Sequence, residues 1–263
     1  MTPLYFGTGK RRLFGVLDPA QARSGKSQAA VICYPWGSEY IFAHRALRHL
    51  ARQLAARGFN VLRFDYYGTG DSAGEESEVR LAGWREDIAA AIEELKETCD
   101  ARAVTLIGLR LGASLAAEVA ALGRKDVTAL VLWDPAVSGS EHLDMLGAEW
   151  TEMAHRHRTH LGDESESRRG GRYGLPISDE LAFEISAIDL AGIAGKMPAR
   201  TLCLATERLQ SHDAWRRELE ARPQGPIALE EISDIRPWVE PDPASVGTLP
   251  LAVVGRIISW LAP

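Results

Sequence analysis

The residues Val104-Thr105-Leu106-Ile107-Gly108-Leu109-Arg110-Leu111-Gly112-Ala113-Ser114-Leu115 hold the most informative pattern in the chain. Residues 104–107 form a short β-branched and apolar run of the kind that makes a buried strand. Small and apolar residues then continue at helical spacing through Leu122. Between strand and helix lies Gly108-Leu109-Arg110-Leu111-Gly112, a sharp turn with a glycine on either side. This is the frame Gly-x-Ser-x-Gly, in which a strained strand-to-helix turn exposes a serine hydroxyl. Glycines suit the crowded backbone of such a turn. The middle residue here is Arg110. A guanidinium accepts no hydrogen bond and does not deprotonate in proteins, so it cannot serve as a nucleophile. The frame of an acyl-transfer site is present without its attacking atom.

Strands and helices alternate on both sides of this turn. Residues 4–17 read as a hairpin around Gly7-Thr8-Gly9-Lys10. Residues 29–34 are a continuous apolar run suited to a central parallel strand, and they lead into Pro35-Trp36-Gly37-Ser38-Glu39. A helix is expected over about 43–57, a strand over 59–64, a glycine-rich loop over 65–74 and a helix over about 81–98. Further strands are expected at 127–133, 201–205 and 227–232, and further helices at 212–221 and 249–261. Residues 138–198 break the alternation. They hold two helical stretches, near 141–160 and 178–190, around a charged, glycine-rich segment at 162–174. Such alternation implies a mostly parallel sheet covered on both faces, with ligands beyond the carboxyl ends of its strands. The expected organisation is an α/β core over 1–137 and 199–263, with 138–198 inserted as a helical lid.

Composition bounds the function. The chain has 263 residues, 46% hydrophobic and 25% charged, which is ordinary for a soluble globular protein. A net charge of −6 gives no bulk attraction to nucleic acid or an anionic membrane. No apolar run approaches the roughly 20 residues of a bilayer span. The start, Met1-Thr2-Pro3-Leu4, lacks a secretion pattern. Cys33, Cys99 and Cys203 read as reduced thiols of a cytoplasmic protein. No cofactor or metal is expected. Ser24-Gly25-Lys26-Ser27 has Ala20 where a phosphate loop needs its first glycine, and it precedes a strand. Gly68, Gly70 and Gly74 miss the dinucleotide spacing by one residue. His155, His157 and His160 do not all share a helix face.

With the early hairpin, the elbow, the loop Gly68-Thr69-Gly70-Asp71-Ser72, the insertion after Asp134 and the closing helix, the chain resembles α/β-hydrolase-fold proteins. Within that superfamily it is similar to bacterial serine-aminopeptidase-like and acyl-thioesterase-like hydrolases. More narrowly it resembles hydrolases associated with the exosortase A system. Those carry a Pro-x-Gly-x-Glu loop, here Pro35-Trp36-Gly37-Ser38-Glu39, and in some members an arginine at the elbow. The resemblance implies an eight-stranded, mostly parallel sheet with a lid. It also implies a nucleophile at the elbow, an acid after the sixth or seventh strand and a histidine after the eighth. An oxyanion hole comes from backbone N–H groups after the third strand and just past the nucleophile. On those positions stand Arg110, the acid candidates Asp134 and Glu207, and the Leu111 N–H. The late loop reads Ser233-Asp234-Ile235-Arg236-Pro237-Trp238, and no histidine follows His212. Ordinary serine hydrolysis of esters, thioesters or amides is therefore not expected.

Arg110 has two readings: it pairs with Asp134 or Glu207 in a silent site, or it receives an anion at the start of a helix. Glu39 could meet Arg110. Tyr34, Trp36 and Tyr40 belong either to a pocket wall or to the core. His44 is the one histidine that the pattern places near the site, with a surface or capping role as its alternative. Ser114 reads as a small packing residue and Ser72 as a turn residue. Two classes of function follow. In one, the protein acts on or binds a small acyl or carboxylate metabolite in a lidded pocket, with Asp134 or Glu39 as base. In the other, it is a non-catalytic pseudo-hydrolase that binds a ligand or serves as a scaffold. A homo-oligomer or a partner protein completing the site stays open.

Overall fold

The strand that leads into the turn, β5 (Val104–Leu109), is buried along its whole length. Such a strand needs neighbours on both edges and cover on both faces. In the computed structural model, which describes residues 1–21, 28–157, 177–239 and 247–262, β5 pairs in parallel with β3 (Gln28–Cys33) and β6 (Val127–Trp133). β4 (Phe59–Phe64), β7 (Thr201–Ala205) and β8 (Leu229–Glu231) extend the parallel sheet. The hairpin β1 (Thr2–Phe6) and β2 (Leu13–Asp18) joins antiparallel at one edge. The strand order is β1-β2-β4-β3-β5-β6-β7-β8, the eight-stranded, mostly parallel sheet expected of an α/β-hydrolase fold.

Seven helices accompany the sheet among the described residues. The first, α1 (Ser38–Ala55), buries Ala43, Leu47, Leu50 and Leu54, the stripe visible in the sequence. It begins five residues earlier than that stripe indicates. Gly37, at φ 74° and ψ −143°, turns the chain from β3 directly into the helix, a conformation open mainly to glycine. Glu39 therefore sits in the first turn of a helix, where a carboxylate meets free N–H groups. α2 (Leu81–Cys99) and α3 (Leu111–Ala121) follow. Between β6 and β7 come α4 (Gly139–His157) and α5 (Asp179–Ser186). The chain closes with α6 (Gln210–Glu220) and α7 (Leu251–Leu261).

α5 is fixed at both ends. The Ser178 hydroxyl accepts the Leu181 N–H at 3.1 Å, an N-cap bond. The Glu184 carboxylate accepts the Leu81 N–H at 2.6 Å. That satisfies an orphan donor at the start of α2 and places negative charge at the positive end of its dipole. The segment 162–174, the stretch Ser24-Gly25-Lys26-Ser27 and His160 lie outside the described residues, as do the side chains of His155 and His157. Cys33 and Cys203 are buried free thiols. No helix is long and apolar enough to cross a membrane among the described residues.

α3 lies close on the sheet because Gly112 has no side chain. A Cβ there would run into the carbonyl oxygens of Cys33 and Tyr34. Gly112→Ala is expected to destabilise the protein by about 1–3 kcal/mol. Gly255→Ala in α7, where a Cβ meets nothing within 4 Å, should stabilise by roughly 0.5–1 kcal/mol. Urea unfolding of both variants checks the pair, and equal midpoints would show that α3 is not held by this contact.

Candidate functional site

β5 ends at Leu109 and α3 begins at Leu111, so one residue makes the turn. Arg110 adopts φ 54° and ψ −124°, a region that costs a non-glycine residue about 1–3 kcal/mol. The backbone around it is well bonded. The Arg110 N–H donates to the Trp133 carbonyl at 3.1 Å, and its own carbonyl accepts from the Ala113 N–H at 3.0 Å. The Ser114 hydroxyl donates to the Ala136 carbonyl at 2.8 Å. Ser114 thereby ties α3 to the chain beyond β6 and presents no free hydroxyl to a substrate.

The Arg110 side chain is 1% exposed. Its Nε donates to Glu39 Oε1 at 2.8 Å and its Nη1 to Glu207 Oε1 at 3.1 Å. The second oxygen of Glu207 accepts from Arg236 Nη1 at 2.8 Å. The Arg110 guanidinium carbon lies 5.1 Å from the Trp238 ring centroid, within range of a cation–π contact. The result is an alternating chain, Glu39–Arg110–Glu207–Arg236. Its members come from the start of α1, the elbow, the loop after β7 and the loop after β8, all at the carboxyl ends of the strands.

Asp134 stands beside this chain and bonds elsewhere. Its carboxylate accepts the Thr206 N–H at 2.7 Å and the Thr206 hydroxyl at 2.8 Å. Burial pushes its pKa up to about 6, against the Thr206 bonds and the charge of Arg110. Burial pushes Glu39 up to about 7, again opposed by Arg110. Burial pulls Arg110 down, but Glu39 and Glu207 outweigh it and hold the guanidinium in its charged form. Half-buried Glu149 on α4 is raised by burial and also feels Arg110. Four carboxylates thus face two guanidiniums, and the site leans negative as they ionise.

His142, on the first turns of α4, places Nε2 4.0 Å from Glu39 Oε2. Burial, reinforced by Arg110, holds its pKa well below the ordinary value, so the ring is neutral. Neither of its ring nitrogens has a partner among the described residues, and the same holds for Glu39 Oε2 and Arg110 Nη2. His212 Nδ1 accepts the Leu209 N–H at 3.4 Å. Neither buried histidine bonds a serine among the described residues.

The structure therefore gathers Arg110, Glu39 and Glu207 and sets Asp134 alongside. The Leu111 N–H opens α3 and has no acceptor within its helix. Tyr34 and His44 fall into one aromatic group with Tyr40, and Trp36 falls into another with Trp84 and Tyr66. Tyr34 accepts from Arg63 Nη1 at 3.2 Å, with its ring against Tyr40 and His44. Trp36 packs on Trp84 with centroids 6.2 Å apart. Burial and Arg63 lower the His44 pKa. Sequence reasoning did not select His142, Thr206, Arg236 or Trp238. Arg236 and Trp238 had a signal, since they stand in the loop where a catalytic histidine was sought.

The sequence matches the family model for serine aminopeptidase, S33, over residues 40–201. No curated protein matches it. Among solved structures, Est1E from Butyrivibrio proteoclasticus with bound ferulic acid aligns at a TM-score of 0.66 and 19% identity, over 99% of this chain and 100% of that one. The Pyrococcus furiosus esterase Pf2001 aligns at 0.64 and 16%, over 99% and 89%. XC6422 from Xanthomonas campestris, described as an α/β serine hydrolase without lid, aligns at 0.62 and 16%, over 99% and 93%. Likeness at these identities is one of fold.

The pairing has a pH signature. The pKa of Glu39 in the folded protein, about 7, lies well above the ordinary carboxylate value. The folded form thus holds a proton that the unfolded chain has released, and stability falls as pH rises through that interval. Arg110 limits the loss. Arg110→Met is expected to cost about 3–5 kcal/mol at pH 8, where it strands a buried carboxylate, and clearly less at pH 5, where Glu39 takes up a proton. Urea unfolding at the two pH values reads the difference. Equal losses would mean that Arg110 does not hold the charge of Glu39.

Proposed function

The chain belongs to the serine aminopeptidase S33 family of α/β hydrolases, and on that footing we propose that it binds a ligand or serves as a scaffold and does not hydrolyse through its elbow. The observation that carries this reading is the double pairing of buried Arg110 with Glu39 and Glu207. An attacking group must be free to approach a carbonyl carbon. The group at the head of this turn is a cation, enclosed by two carboxylates and an indole ring. A preorganised oxyanion donor is worth roughly 2.7–4 kcal/mol when aimed at the empty position where charge develops. Two of the five guanidinium N–H donors are committed to carboxylates. The donors that a ligand would meet in this reading are Nη2, which has no partner among the described residues, and the Leu111 N–H.

Those two donors define the ligand class. With carboxylates in excess around the elbow, a free carboxylate or phosphate meets net repulsion. A neutral acyl compound, an ester, thioester or amide carbonyl, can accept from Nη2 and the Leu111 N–H without displacing Glu207. Residues 138–198 act as the lid in this reading, supported by His142 and Glu149 of α4, which both sense Arg110.

A second reading, slow acyl transfer with Glu39 as base, draws on its raised pKa and its unpartnered Oε2 beside neutral His142. Intact-mass analysis after treatment with a fluorophosphonate, together with an ester and thioester panel, separates the two. The binding role predicts no added mass and turnover at the buffer rate. Stoichiometric labelling contradicts it. Turnover without labelling that disappears in Glu39→Gln transfers the site to the second reading.

A further inference from the structure

A cavity of about 240 Å³ lies between the turn from β3 into α1 and the loop that follows β4. It shares no lining residue with the Arg110 ion-pair chain. Its walls include Trp36, Tyr40, Phe64 and Tyr66, and its carboxylates are Asp65 and Glu76. Among the described residues, no lysine, arginine or histidine lines it.

The walls are fixed in place. Trp36 and Tyr66 both pack on buried Trp84, at 6.2 and 5.2 Å between centroids. Phe64 meets Tyr66 edge-on at 5.0 Å. Asp65 is 8% exposed and forms no ion pair among the described residues. A buried carboxylate without a cation is costly, and here it borders a space large enough for a ligand. Its oxygens are not vacant: Oδ1 accepts the Tyr40 hydroxyl at 2.7 Å and Oδ2 the Asp71 N–H at 3.0 Å. Asp65 therefore offers the cavity charge more than free acceptor sites.

We propose that this cavity binds an alkylated ammonium group, quaternary or tertiary, on a small soluble molecule. Aromatic rings attract such a cation through their quadrupoles, and Asp65 and Glu76 add charge of the complementary sign. A primary ammonium brings three N–H donors, for which the aromatic walls have no acceptor, so it would rely on the remaining lone pairs of Asp65 and on Glu76 at the rim. A methylated nitrogen presents none and matches rings better than water-seeking acceptors.

Calorimetric titration of the full chain with choline chloride tests this, with 3,3-dimethylbutan-1-ol as the uncharged isostere and ethanolamine as the primary amine. Choline is expected to bind about tenfold more tightly than the isostere, and more tightly than ethanolamine. Glu76→Gln, at the half-exposed rim where folding is not at stake, should weaken choline several-fold. Trp36→Leu and Asp65→Asn should weaken it further, and thermal melts establish that each variant is folded. The proposal is overturned if the isostere binds equally well, if ethanolamine binds more tightly, if Glu76→Gln leaves the affinity unchanged, or if choline shows no saturable binding.

Discussion

The guanidinium of Arg110 lies between carboxylates that are 71 residues before it and 97 after it in the chain. A cation at 1% exposure persists only where opposite charge and hydrogen bonds replace its water. Glu39, Glu207 and the Trp238 ring supply that replacement. To do so, the ends of β3, β5, β7 and β8 must converge within a few ångströms. The parallel sheet provides that convergence, and the requirement in turn restricts how those four loops can lie.

A buried pair of this kind is a poor source of net stability, because desolvation consumes most of the Coulombic gain. Its consequence is conformational. Glu39 is 0% exposed and has one oxygen without a partner, so it depends on Arg110 for its charged form. Arg110 depends on Glu39 and Glu207 to hold a strained backbone angle and a full charge together. Arg236 extends the same dependence to the loop after β8. At the head of the turn the chain thus has a set of mutually dependent ionisable groups around one guanidinium.

Much of this was legible in the sequence because it is local. The spacing of Gly108 and Gly112 and the apolar run before them fix a strand, a turn and a helix through backbone sterics alone. The substitution at the centre of the turn, and the late loop without a histidine, need only the order of residues. The start of α1 was misplaced by five residues because it hangs on the positive φ of Gly37, which apolar periodicity does not register. His142 was missed for a different reason. Its approach to Glu39 depends on how the segment after β6 folds back over the sheet, a tertiary property with no short-range mark. Likewise, Asp134 was a candidate partner for Arg110 by position. The alignment of β6 beside β7 instead brings Thr206 to it, and two hydrogen bonds hold its carboxylate there.

The Arg110 side chain offers a direct readout of all this through exchange of its Nε proton with solvent. Nitrogen-edited NMR of the guanidinium at neutral pH should show a resolved Nε–H, shifted by its bond to Glu39 and protected from exchange. It should lose both properties in Glu39→Gln. An Arg110 Nε–H that exchanges as fast as those of surface arginines would contradict the paired, buried cation on which this interpretation rests.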